Sequence, residues 1–95
     1  MTQIKISEWD TAEVLTTPER IAAYLEAVLE ENDPALIADA LGVIARAKGM
    51  TKLSRETGLT REGLYQALSK DGNPEFATVL KVVNAFGLRL HATPG

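Results

Sequence analysis

Arg61, Glu62, Tyr65, Gln66 and Ser69 fall on one side of a short segment whose other side carries Leu64, Ala67 and Leu68. A globular core has no use for that polar set, but base edges and phosphate oxygens do. Just ahead of it, Thr60 is placed as an N-cap whose hydroxyl can accept a backbone N–H. Gly58 stands where a preceding helix must end in a left-handed residue and the chain must turn sharply. Leu53 and Ser54 supply the inner face of that preceding helix, and Leu59 packs inward after the turn. Residues 50–69 therefore read as two short helices joined by a glycine turn, the helix-turn-helix arrangement whose second helix enters the major groove of DNA. An ordinary helical hairpin with a solvated face is the competing reading. It explains the apolar spacing but not the agreement of cap, turn glycine and polar face.

Other chemistries find no support in the inventory. The chain has no cysteine and a single histidine, His91, with no partnered serine, so a nucleophile and base pair has nothing to stand on. The adjacent Glu30 and Glu31 suit a solvated helix end and lack ligand spacing for a metal or for acid–base work. Asp71, Gly72, Asn73 and Pro74 superficially match the start of a calcium loop, without the ligands required at its later positions. The reading is a binding protein, not an enzyme, with no cofactor and no metal.

The formal charge of −3 argues against DNA only until the charges are placed. Residues 1–45 carry Lys5 and Arg20 against nine carboxylates, a net −7, and residues 46–95 carry eight basic against four acidic side chains, a net +4. The basic excess surrounds residues 50–69. Local potential governs association more than net charge does, so the asymmetry implies a cationic face for phosphates and an acidic face for a different, basic partner. A merely soluble acidic surface is the plainer alternative for the first half.

Five helices are needed to hold these groups in place. Thr17 caps and Pro18 starts the first, whose stripe of Ile21, Leu25, Val28 and Leu29 ends near Glu31. Asp33 and Pro34 repeat the start signal for a second, which buries Ile37, Ala40, Leu41 and Ile44 and stops at Gly49. The helix-turn-helix pair follows. After the loop 71–74, Phe76, Val79, Leu80, Val83 and Phe86 mark the core face of a fifth helix closed by Gly87. Ile4 and Ile6 near one end, and Leu88 and Leu90 near the other, alternate with Lys5 and Arg89 and are candidate strands that could pair. Trp9 reads as a core anchor ahead of the first helix.

The fold class is thus all-α in a single domain spanning residues 1–95, with short terminal strands as an option. The 45% hydrophobic content suffices for one core, no apolar run approaches membrane-spanning length, and the N-terminus lacks a signal-peptide pattern, so the chain reads as cytoplasmic and unattached to membrane.

The segments Ile21-Ala-Ala-Tyr-Leu-Glu-Ala-Val-Leu-Glu-Glu-Asn-Asp-Pro-Ala-Leu, Ile44-Ala-Arg-Ala-Lys-Gly-Met and Gly58-Leu-Thr-Arg-Glu-Gly-Leu-Tyr-Gln-Ala-Leu-Ser-Lys-Asp-Gly-Asn-Pro resemble the HigA-like addiction-module antidotes over roughly residues 8–92. The resemblance implies a five-helix domain of lambda-repressor type that binds double-stranded operator DNA; one such motif covers too little DNA for useful specificity, so a homodimer is expected. The resemblance also implies a small basic RelE/ParE-like toxin as partner, neutralised by the antidote, with repression of the shared operon. Carried over by position, Thr60, Arg61, Glu62, Tyr65 and Gln66 fall on the recognition face, Lys48, Lys52 and Lys70 at expected phosphate contacts, and Asn73 at a weaker backbone contact. Two positions depart from the pattern. Gln66 replaces a frequent lysine and could exchange a phosphate contact for adenine readout. Gly63 replaces a small hydroxyl residue at about 1 kcal/mol of helix stability, tolerable if crowding against the preceding helix demands it. A stand-alone regulator without a toxin, and a protein-only interaction module that has lost DNA binding, remain the alternatives.

Overall fold

Two Thr/Asp-Pro pairs punctuate the first half of the molecule, and both act as helix starts. The computed structural model describes residue 15 and residues 17–95. Helix α1 spans Pro18–Leu29, with the Thr17 side chain accepting the Arg20 N–H at 3.2 Å and proline in the first turn, where its missing N–H costs nothing. The chain leaves α1 through Asn32, whose φ of 54° is left-handed, a conformation asparagine tolerates better than other non-glycine residues. Asp33 then accepts the Ala35 N–H at 3.0 Å and opens α2, Pro34–Lys48. Arg46 and Lys48 occupy its last turn, where cations suit the helix dipole. Helices α3 (Met50–Thr57) and α4 (Arg61–Ala67) follow, and α5 covers Phe76–Ala85.

Helices α2 and α3 share the centre of the packing: α2 lies against α1, α3 and α4, and α3 against α2, α4 and α5. The core is built from Ile21 and Leu25 of α1, Leu41 and Ile44 of α2, Leu53 of α3, Leu64 and Leu68 at α4, and Val82, Val83 and Phe86 at α5. Each of these is at most 5% exposed, so burial of these aliphatic and aromatic groups carries the stability of a chain without disulfides. The five helices, their order and their caps agree with the expectation from sequence.

Three details differ. Phe76 and Leu80, expected in the core, are 69% and 37% exposed, while Val82, not among the expected core residues, is fully buried. Val79, Val82, Val83 and Phe86 share one face of α5, and at about 100° per residue Leu80 projects roughly 110° away from its centre, whereas Phe76 lies nearer that face but is the first residue of the helix. The apolar stripe is wider than the surface that the other described residues cover. Leu29, at 40% exposed, likewise runs past the edge of the core.

The third difference concerns the terminal strands. Among the described residues there is no strand. The chain after α5 instead closes in a Schellman arrangement, with Gly87 at φ 82°, its N–H donating to the Asn84 carbonyl at 3.0 Å and the Leu88 N–H donating to the Val83 carbonyl at 3.2 Å. That arrangement folds Leu88 back onto the core. A strand needs a neighbour to pair with, and the expected partner, Ile4 and Ile6, lies outside the described residues, as does Trp9.

Candidate nucleic-acid interface

The turn between α3 and α4 is held by side chains that its own sequence supplies. Gly58 ends α3 with φ 76° and ψ 8°, a left-handed conformation open to glycine without steric cost, and its N–H donates to the Ser54 carbonyl at 2.9 Å. The Ser54 hydroxyl donates across the turn to the Leu59 carbonyl. Thr57 works in both directions, its Oγ1 donating to the Leu53 carbonyl at 2.8 Å and accepting from the Leu59 N–H at 3.2 Å. Thr60 then caps α4 by accepting the Gly63 N–H at 3.0 Å. Serine and threonine in these roles convert a flexible connection into a defined one, because the local polar groups find partners without water.

Tertiary contacts fix where α4 points. Leu64 and Leu68 are each 1% exposed, which turns the remaining face of α4 to solvent. Gly42 of α2 sits directly against the end of α4: a Cβ at position 42 would stand 2.0 Å from the Leu68 carbonyl oxygen. Gly72 has the same function for the loop that follows, since a Cβ there would meet the Ala67 carbonyl oxygen at 2.2 Å and that of Gln66 at 2.5 Å. Its N–H donates to the Ser69 carbonyl at 2.9 Å. The loop carrying Lys70 and Asn73 is thereby folded over the C-terminal end of α4. Sequence reasoning missed both close approaches. Gly72 sat inside a recognised loop, and Gly42 lies in the middle of a helix, where glycine costs stability and so hints at a packing demand.

Thr60, Arg61, Glu62, Tyr65, Gln66, Lys52, Lys70 and Asn73 are all exposed, and Lys48 is half-buried. The first five share the solvent side of α4 and its cap. Lys52 belongs to α3 and Lys70 follows just beyond α4, so the motif carries two exposed cations in addition to Arg61. Arg55, exposed in the last turn of α3, adds a cation that the motif reading left out. Ser69 is placed differently: it is half-buried, and its hydroxyl donates to the Gln66 carbonyl at 3.0 Å, closing the helix end. Gly63 also has a different reason than crowding against α3. A Cβ there would come 2.9 Å from Thr60 Oγ1, the atom that caps α4, so the crowding arises inside the helix's own first turn.

This arrangement can present donors, acceptors and cations to a polyanion from a rigid platform. Among the described residues no cluster of His, Cys, Asp and Glu could hold a metal ion, and no helix is long and apolar enough to cross a membrane.

Comparison with known proteins agrees with a role in binding. A protein of Haemophilus influenzae described as uncharacterized is 49% identical over 85 residues, which cover 90% of this chain and 88% of that protein. No solved structure matches the chain. The family model of the probable addiction module antidote proteins matches residues 5–94, and on that near-complete match the chain belongs to the probable addiction module antidote family, which implies a toxin as its partner.

Proposed function

We propose that this antidote is a HigA-like antitoxin that binds operator DNA in its own promoter through α4, and neutralises a basic toxin of RelE/ParE type through a separate surface. The observation that carries the DNA reading is the solvent face of α4. Its polar side chains serve no core, yet the helix beneath them is fixed by a glycine turn, two hydroxyl bridges, a threonine cap and the Gly42 approach. Rigid placement matters because base readout needs side chains held in register with the groove. In this reading Arg61 reads guanine or a phosphate, Gln66 reads adenine, and Tyr65 packs on the groove wall. Lys52, Lys70 and Lys48 hold the sugar–phosphate backbone, with Asn73 adding a contact from the loop. The Thr60 hydroxyl oxygen accepts from Gly63, leaving its hydrogen for a phosphate oxygen.

One α4 covers too few base pairs for useful specificity, so the active species is a homodimer spanning two half-sites of a palindrome about 34 Å apart. The exposed Phe76 and Leu80 of α5 supply an apolar contact for the second copy. Binding within the promoter represses the operon that encodes antidote and toxin together. Salt-titrated gel shifts on that promoter test this: sequence-selective retention is expected, with a steep loss of affinity as salt rises. Equal affinity for promoter and random DNA, or an affinity indifferent to salt, would overturn the assignment of α4.

A further inference from the structure

An open groove of about 650 Å³ separates α1 from the extended chain that follows α5. Its α1 wall is a single helix face, Ala22, Leu25, Glu26, Leu29 and Glu30, recurring at three- and four-residue spacing. The opposite wall is the chain from Leu88 to Gly95, with Val83 of α5 beneath. Leu29 and Leu90 remain 40% and 38% exposed on the two walls, so the groove offers apolar surface that the other described residues leave uncovered.

The charges around it are placed against the interest of the helix. Glu26 and Glu30 are like charges four residues apart, which destabilises a helix. Together with Glu31 they crowd the C-terminal end of α1, the negative end of its dipole, and its last turn holds no basic residue. The tail wall contributes Arg89 and His91. An incoming cation would relieve the carboxylate repulsion and approach the unfavourable dipole end at once. No residue of α4 lines the groove, so an occupant seated there makes no use of the polar face of α4.

We infer that this groove is where the toxin docks. It accepts a basic segment that inserts an apolar side chain between Leu29 and Leu90 and sets flanking Lys or Arg side chains on Glu26 and Glu30. The inference rests on the antidote reading and adds the surface. The test uses the full chain and the toxin encoded beside its gene, titrated by calorimetry. Glu26→Lys with Glu30→Lys, and separately Leu29→Ser, should weaken binding on the order of 10-fold or more, as expected for central anchors and their paired charges. Glu56→Lys with Glu75→Lys, the same change in net charge away from the groove, should stay within about 2-fold of wild type at physiological salt. Hydrogen exchange on the wild-type complex needs no variant: residues 22–30 and 88–91 should gain protection when the toxin is added.

If the wild-type chain does not bind the toxin, the antidote reading falls, and the groove assignment with it. If it binds and both groove variants match wild type, or the distant charge pair weakens binding equally, only the groove assignment is overturned. Two further results would overturn it as well: proximity in the free chain between the Ile6 and Leu29 methyl groups, showing the chain's own first segment in the groove, or protection of residues 22–30 that grows with chain concentration without toxin, showing a second copy there.

Discussion

Replacing Gly42 with alanine sets two physical effects of opposite sign against each other. Helix propensity alone favours the change: Gly42 lies inside α2, and alanine in a helix interior is better than glycine by about 0.8–1.0 kcal/mol. Sterics oppose it. The new Cβ would sit 2.0 Å from the Leu68 carbonyl oxygen and 3.1 Å from its carbon, whereas ordinary contact begins near 3.4 Å, so α2 and the end of α4 would have to separate by more than an ångström. Both of these Leu68 atoms are backbone, which has no rotamer to change. Overpacking of this kind costs about 1–3 kcal/mol and here falls at or beyond the upper end, because Leu68 is 1% exposed and moves with its neighbours in the core. The net expectation is a loss of about 2 kcal/mol or more, or a fall in midpoint of at least roughly 8–16 °C for a domain of this size. Urea unfolding followed by circular dichroism would show a lower midpoint with an unchanged slope. Because the displaced element is α4, operator affinity should fall as well, under conditions where the variant is fully folded. A Gly42→Ala variant as stable as wild type or more so would refute the reasoning, since propensity would then be the only effect acting.

Other substitutions separate recognition from general attraction. Arg61→Ala should cost about 1–3 kcal/mol of operator affinity and relax selectivity at one base position in gel shifts; unaltered affinity and selectivity would remove Arg61 from the readout. Lys52→Glu and Lys70→Glu should weaken all DNA sequences alike and reduce the slope of log affinity against log salt by about 0.9 for each phosphate no longer neutralised, checked by titration at several salt concentrations. Phe76→Asp, which alters a side chain that is 69% exposed, should leave the melting temperature close to wild type yet convert the dimer to a monomer in light scattering; a wild-type chain that is monomeric both free and on a palindromic operator would refute dimerisation through α5.

What could be read directly from the residues is what depends on neighbours along the chain. The caps at Thr17, Asp33 and Thr60 each act on an N–H two or three residues away, and the left-handed turn at Gly58 is a property of glycine itself, so helix order and starts were legible. So was the polar face of the segment 61–67, because Leu64 and Leu68 set its phase. Tertiary structure decided whatever depends on how much surface the rest of the molecule covers. The sequence shows a broad apolar stripe on α5 but not which part of it meets α3, and that choice leaves Phe76 and Leu80 in solvent and buries Val82. Nor does spacing reveal that Gly42 faces the carbonyl of Leu68, far along the chain, or that Ser69 turns back to Gln66 instead of outward. Local hydrogen bonds and backbone conformation are encoded within a few residues, whereas packing phase and close approach arise from the sum of all contacts and exist only once the chain has closed on itself.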